Sequence, residues 1–435
     1  MISLQYTVHY NYEGTLDESI SKTLVHDDDF KNLIKETNIN IYDVQYDDIT
    51  IKKHSRLKSL ISSSSPPSSS SSLSIKPSYA LFRLDVNNSS NMILSTWVTS
   101  RCLEFLDAKD NLYEYIEKTS SLSCMPITKL LPYDTNTICE LPSSPCLLKA
   151  SLGSGGFGIY FVKNTNDVLS IIQWHMQRAE QTAGFIDGLK KDFGRVPLWS
   201  IQEFIPSVRY TITTTVTTLL TIMIMIRVQG NKRCQVRVYV VICEEHCYYY
   251  HTIEVRIPTW DRDELLDHSI NDSDNHNDND AGDLNSYDRL CCKGTEAIPY
   301  NLDRNKKETA RYLISEVEEI SSSSASEAVT ECVVTAFLSL QPYIVDKIIE
   351  QNKIEDHIPN RTKLAIAGVD LVLKSKVDSS GFEALIVEVN NNPSMVQSSK
   401  KMSEKFNHHL KQLLSDIALL GLSNGKIQKN FSKIW

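Results

Sequence analysis

The chain has no excess of positive charge: 45 Lys and Arg stand against 54 Asp and Glu, for a net charge of −9. That balance argues against a general nucleic-acid or membrane-surface binder, since both need a cationic face. The ten cysteines have no disulfide-like spacing, which excludes a stapled secreted scaffold and predicts a reduced, cytoplasmic protein. Residues 1–10 lack a basic stretch followed by an apolar core, so no signal peptide is expected. No internal repeat is visible. Cys243, His246 and Cys247 have no second ligand pair nearby, so the turn of a hairpin explains them better than zinc. With 435 residues there is length for two or three domains and a sizeable core.

What is present is concentrated near the end, in Ala384-Leu-Ile-Val-Glu-Val-Asn-Asn-Asn-Pro-Ser394. In a strand, Glu388 and Asn390 share one face while Val389 points into the packing. Pro393 and the asparagines before it end the strand. A carboxylate and an amide oxygen side by side suit a hard cation such as Mg²⁺, which is held by oxygen ligands and substrate phosphates. A polar turn at a strand end is the plainer alternative. Upstream, Gly368-Val-Asp-Leu-Val-Leu373 is a second apolar run, joined to the first through a polar stretch ending in Ser379-Ser380-Gly381. Antiparallel pairing of 369–373 with 384–389 brings Asp370 beside Glu388. Two buried carboxylates in contact are unfavourable without a cation between them.

Asp370, followed by Glu388-Val-Asn390-Asn-Asn-Pro393-Ser394, resembles the closing signature of the ATP-grasp superfamily, most closely its tubulin tyrosine ligase-like branch. The resemblance implies an α+β fold in which two subdomains grip ATP, with Asp370, Glu388 and Asn390 holding Mg²⁺. It covers roughly residues 100–420.

The rest of the chain is consistent with that order. Residues 1–98 form an N-terminal region without a motif, interrupted by a Ser/Pro tract at 62–74 that builds no core. The segment 99–425 is the expected ATP-grasp domain, with insertions near 211–228 and 261–326. Residues 99–117 have helical apolar spacing and lead to a short strand around Pro126-Ile-Thr128. The resemblance asks for a lysine here that reaches the α-phosphate, and Lys109 and Lys118 are both candidates.

An apolar strand carrying Lys149 enters a loop with Gly153, Gly155, Gly156 and Gly158, and a second apolar strand leaves it. Glycines let backbone N–H groups close on phosphate oxygens, and the lysine supplies a point charge. Three readings compete. A protein-kinase loop fails, because Asp192-Phe193-Gly194 follows too soon and no His-Arg-Asp loop exists. A dinucleotide loop is weakened by the strand-like Ile159–Val162, since a helix should follow it. The resemblance implies a phosphate-covering hairpin. A largely helical stretch over 167–193 precedes Gln202-Glu203-Phe204-Ile205, a short strand stopped by Pro206. It is either an edge strand or, as the resemblance implies, the hinge that meets the nucleoside.

Thr211–Val228 holds seven threonines and little charge. Its β-branched density favours strand over a membrane span. Cys234–Ile242 alternates as a strand, 244–247 is its turn and Tyr248–Ile257 its return. Arg237 in that strand resembles the arginine that faces the transferring phosphoryl group, although Gln235 stands where the branch has Asp. Residues 261–288 read as an acidic loop. Thr330–Gln351 reads as an amphipathic helix that Pro342 should kink or split, and 400–421 as a final helix.

The function implied by the resemblance is an ATP- and Mg²⁺-dependent ligase. It would activate a carboxylate, on a peptide or protein, as an acyl-phosphate for attack by an amine. An inositol phosphate kinase of the same superfamily and a non-catalytic ATP-binding module remain open. No nucleic-acid or membrane partner is expected.

Overall fold

The computed structural model describes residues 2–8, 79–86, 93–98, 101–119, 121–138, 140–143, 145–151, 159–181, 195–205, 209–217, 223–233, 235–258, 291–292, 309–355, 361–376, 381–391, 393, 404–422 and 425–435. The Ser/Pro tract, the glycine loop from Gly153 to Gly158 and the acidic stretch 261–288 lie outside them.

Alternation of apolar and polar residues organises the larger sheet. On β10 (Gln235–Cys243), Val236, Val238, Val240 and Ile242 share one face, and all are buried in the main core. β15 (Arg361–Ser375) pairs antiparallel with β10 on one edge and with β16 (Phe382–Asn391) on the other. Val369, Leu371, Ile386 and Val389 therefore join the same core. Full burial of such a side chain contributes about 1.5–3 kcal/mol. The helices covering this face are α1 (Arg101–Asp107), α2 (Lys109–Lys118) and α4 (Ser323–Glu355). The N-terminal strands β1 (Ile2–Val8), β2 (Tyr79–Val86) and β3 (Ile93–Val98) form an antiparallel meander attached to β15 through β3.

A second sheet contains β4 (Thr128–Leu131), β5 (Cys146–Ala150), β6 (Ile159–Val162), β7 (Trp199–Glu203) and β13 (Cys291–Cys292). One of its faces, with Cys146, Leu148, Tyr160, Val162 and Ile201, packs on α3 (Thr165–Gln181) through Val168, Ile171 and Ile172. The architecture is thus mixed helix and mainly antiparallel sheet, as the α+β expectation requires.

Several expectations need correction. The helix over 99–117 is two helices, broken at Ala108, whose φ of −75° and ψ of 119° are extended. The break turns Lys109 and Asp110 inward, and the Lys109 N–H bonds the Ser151 carbonyl at 3.2 Å. Pro342 does not divide α4, which runs through it. The buried Phe337, Leu340 and Ile344 flank the proline, so packing outweighs the lost backbone bond. The segment Ser323–Glu350 is long and apolar enough to cross a membrane. Here its Ala325, Val329, Val333 and Phe337 are buried in the main core.

The return after β10 is also two strands. β11 (His246–Tyr250) pairs with the last part of β10, and β12 (Glu254–Pro258) crosses to its first part and to β14 (Thr309–Leu313). Within the expected insertion 261–326, Thr309–Leu313 pairs with β12, short 3-10 turns follow at Ile314–Glu316 and Glu318–Ile320, and α4 begins at Ser323. The Thr-rich stretch forms a separate hairpin, β8 (Arg209–Thr217) with β9 (Met223–Arg233). At the end of the chain, α5 (Glu404–Leu422) precedes β17 (Phe431–Lys433), which pairs with β11.

Candidate functional site

Residues opposite one another in an antiparallel pair share a face. Register alone therefore gathers Gln235, Arg237 and Tyr239 of β10 with Glu254 and Arg256 of β12, Arg311 of β14, Gly368 and Asp370 of β15, and Glu388 and Asn390 of β16. This row occupies the face of the large sheet opposite its core. Asp370 does lie against Glu388, as the hairpin reading expects.

The pairing then slips. Leu371 faces Ile386, which leaves Val387 out of the ladder as a bulge. Val387 and Glu388 consequently both turn away from the core. Val387 joins Val372, Leu385 and Ile205 in a small apolar cluster, and Glu388 follows it immediately. The second sheet presents a matching sequence of groups: Leu147, Ile159 and Phe161 cluster with Phe204, and Lys149 and Gln202 lie on the same face. Phe204 meets Phe161 edge-on at 5.3 Å.

Lys149 connects the two sheets. Its Nζ donates to Gln202 Oε1 at 2.5 Å and to the Val387 carbonyl at 3.5 Å. Gln202 in turn donates to Thr128 Oγ1 at 3.2 Å. Burial pulls the Lys149 ammonium down to about 8, with Glu388 opposing the shift and Lys109 adding to it. Glu203 is anchored through its backbone N–H to the Ile127 carbonyl at 2.7 Å, and its side chain is partly exposed.

Between the two lysine candidates the structure discriminates. Lys109 Nζ lies 3.6 Å from Glu388 Oε1 in a buried setting. Lys118 sits over the Tyr115 ring, 5.1 Å from its centre, at the other end of α2. Lys109 is therefore the lysine at this site. Sequence reading missed Asp110, its neighbour. The buried Asp110 carboxylate accepts from the Leu198 N–H at 2.8 Å, from Arg195 at 2.8 Å and from the Ser151 hydroxyl, tying α2 to the end of the second sheet where Ala150 pairs with Trp199. Nothing in the local sequence marks it.

Arg237 and Asp370, both buried, form a two-point ion pair at 2.5 and 2.6 Å. Asp370 Oδ2 also accepts from Asn390 Nδ2 at 2.9 Å. The arginine expected to face a phosphate thus holds one of the expected metal ligands. It lies close over Gly368, where an added Cβ would come within 3.2 Å of Arg237 Cδ and Nε and 3.0 Å of Pro393 Cβ.

The donors fit a hard cation: two carboxylates and an amide oxygen, all oxygen atoms. Asp370 spends three of its about four lone-pair positions on Arg237 and Asn390. Asn390 keeps its amide oxygen. Among the described residues no group of three or more His, Cys, Asp and Glu side chains forms a metal cluster.

Beside Arg237, the fully buried Glu254 accepts from Tyr239 Oη at 2.7 Å and Arg256 Nε at 2.8 Å, and Arg311 Nε stands 3.5 Å away as a further ion pair. Burial raises its pKa, but Arg256, Arg311 and Arg237 together outweigh that and hold it at about 2. Arg256 and Arg311 face each other directly across the strands, an unfavourable pairing of like charges. Arg256 Nη2 and Arg311 Nη1 are buried without a hydrogen-bond partner among the described residues. The signal for Glu254 and Arg256 was available in sequence, since they alternate on one face of a strand, whereas only the β12–β14 pairing brings Arg311 to them. Compared with protein-family models and with curated proteins, the chain matches none of them.

Proposed function

We propose that the chain is an ATP- and Mg²⁺-dependent ligase of the ATP-grasp type, activating a carboxylate as an acyl-phosphate for attack by an amine. One observation carries this reading: Lys149, from one sheet, meets the Val387–Glu388 bulge of the other. Apolar groups on both sheets flank that meeting point, and charged ones follow. This is the order of a nucleotide, with a base between Phe204 and Val387 and phosphates toward Lys149, Lys109 and Glu388.

In this reading Lys149 and Lys109 offset phosphate charge, and Gln202 orients Lys149. The Gln202-Glu203-Phe204-Ile205 segment, at the end of β7, borders the nucleoside. Glu388, Asn390 and the remaining lone pair of Asp370 would hold Mg²⁺. When bound, the ion neutralises charge on the phosphate oxygens. Arg237 is kept flat on the sheet by Asp370 and offers its guanidinium edge to the transferring group. The free N–H groups of Arg256 and Arg311 suit the acceptor carboxylate, which arginine recognises at two points.

In the first step the acceptor carboxylate oxygen bonds the γ-phosphorus while the bond to ADP breaks, and ADP leaves. In the second, the amine nitrogen bonds the acyl carbon, phosphate departs with the electron pair of the broken C–O bond, and the amine gives up a proton. The same two arginines favour a second reading, phosphoryl transfer to a hydroxyl of a phosphorylated acceptor, as in inositol phosphate kinases.

Hydroxylamine separates the two. With Mg·ATP and glutamate-rich peptides, a ligase yields a hydroxamate by trapping the acyl-phosphate. Phosphorylation of an inositol phosphate with no hydroxamate from any acid supports the kinase instead. No ATP consumption with either acceptor leaves a binding module.

A further inference from the structure

On the core side of the large sheet, α4 packs against the short 3-10 turn Leu122–Cys124, which leads into the second sheet. Two cysteines meet at that contact. Cys332 of α4 places its Sγ 3.6 Å from the Cys124 carbonyl oxygen, and the two thiols are within hydrogen-bond reach of each other. Both are buried, and neither is in a disulfide. They stand 208 residues apart in the chain, so no local spacing announces the pair.

The two thiols differ in character. Hydrogen bonding from Cys332 pulls the Cys124 thiol below its ordinary value; burial opposes this, and Ser123 adds to it. The Cys332 thiol moves up in turn, through the same hydrogen bond and then through burial. Burial pushes Cys146 and Cys243 up to about 12, so Cys124 departs from the behaviour of these other buried cysteines. In a dithiol the sulfur with more thiolate character attacks an oxidant, and its neighbour resolves the product. Leu122 and Ser123, just before Cys124, are exposed, which puts this turn at the surface. In reducing compartments, pairs of this kind close transiently as redox sensors rather than as permanent staples.

We propose that Cys124 and Cys332 are a modification site, a dithiol that hydrogen peroxide closes reversibly into a disulfide. The Cys124 thiolate attacks one peroxide oxygen. The S–O bond forms, the O–O bond breaks, and the departing hydroxide takes up the proton that Cys124 released. The Cys332 sulfur then attacks the sulfur of the Cys124 sulfenic acid. The S–S bond forms, the S–O bond breaks, and hydroxide leaves with the Cys332 proton as water. Two thiols thus lose two electrons to one peroxide, which becomes two waters. The link falls between both supports of Lys149. Shortly after Cys124, Thr128 accepts from Gln202, the residue that holds the Lys149 ammonium. On the other side the Ile386 N–H donates to the Cys332 sulfur, and Ile386 directly precedes Val387, whose carbonyl takes the second Lys149 contact. Drawing Cys332 toward Cys124 removes its sulfur from Ile386, so oxidation loosens the bulge. This holds whatever reaction the site performs.

The test uses the full chain, reduced with dithiothreitol, desalted and exposed to a small excess of hydrogen peroxide. After the remaining thiols are alkylated in denaturant and the chain is digested, a peptide map should show a linked pair carrying Cys124 and Cys332. Dithiothreitol should separate that pair. In Cys332→Ser, Cys124 should stop at the sulfenic acid and be captured by dimedone; in Cys124→Ser, Cys332 should stay a thiol. Thermal melts establish that both variants fold, and the wild-type map depends on neither. Hydrogen exchange in the peptide covering Ile386–Glu388 should quicken at least about threefold on oxidation and recover with dithiothreitol. A map in which Cys124 and Cys332 stay reduced, or link only to other cysteines, would overturn the proposal. A Cys124–Cys332 link with unchanged exchange at Ile386–Glu388 would overturn its connection to the seat of Lys149.

Discussion

Arg237 and Asp370 occupy opposite positions on adjacent strands and close a two-point ion pair with almost no access to water. Each is expensive to bury alone. Asp370→Asn therefore leaves a buried guanidinium without its counter-charge and should cost about 3–5 kcal/mol in stability. Asp370→Leu combined with Arg237→Met should cost clearly less than the two single changes added together. Urea unfolding of the four chains in a double-mutant cycle checks this; simple additivity would refute the coupling.

Glu388→Gln keeps the shape of the bulged strand end and removes one charge beside Lys109. ATP turnover should drop more than tenfold, or at least ~1.4 kcal/mol of transition-state stabilisation. Steady-state assays over a range of Mg²⁺ concentrations check it. Wild-type turnover in this variant would remove Glu388 from the proposed cation site.

Lys149, held at about 8 by burial, gives opposite pH trends for two properties. Its folded-state value lies below its unfolded value, so between roughly pH 8 and 10.5 the unfolded chain binds the extra proton and stability rises with pH. Across the same window the ammonium is lost, and ATP affinity should fall. Lys149→Met should abolish both trends. Calorimetric ATP titration at pH 7 and 9, with melts at the same pH values, reads them together.

Glu254 behaves in the other direction. Its folded value of about 2 lies below the ordinary carboxylate value, so its contribution is fully present above about pH 4.5 and is lost as pH falls toward 2. In Glu254→Gln that part of the acid sensitivity should disappear, along with the counter-charge for Arg256 and Arg311. Unfolding midpoints between pH 2 and 6 for both chains provide the check.

The hairpin of β8 and β9 forms its own two-stranded sheet, apart from the two that carry the site. Replacing residues 211–228 by a short glycine-serine linker should leave ATP affinity within about twofold. Lost affinity in a chain that still melts cooperatively would assign the hairpin to the nucleotide site.

Much of the site was legible because strand alternation is a strict rule. Glu388 and Asn390, spaced by two, share a face as their sequence predicts, and Asp370 lies opposite Glu388. Period and register say nothing of a bulge, however, and the slip at Asp370/Leu371 is what turns Val387 toward Lys149. The break at Ala108 was equally hidden, since alanine is the strongest helix former and only the tertiary position of Lys109 and Asp110 explains it. Arg311 was obscured for a different reason. It sits on a strand beyond a long polar stretch, and only pairing with β12 brings it beside Arg256. Pro342 shows the converse: the helix is not split there, and buried residues lie on either side of it.

Gly368 and Arg237 amount to a single unit of inheritance. With Cδ and Nε of the arginine 3.2 Å from where a Cβ would stand, and Pro393 Cβ at 3.0 Å, a side chain at 368 requires both neighbours to give by a few tenths of an ångström. Alanine at 368 would have to lift the guanidinium off the sheet or push the Pro393 turn outward, disturbing both neighbours of Asn390. Shortening the side chain at 237 relieves only one of the two contacts, so position 368 answers to the Pro393 turn as well as to the arginine.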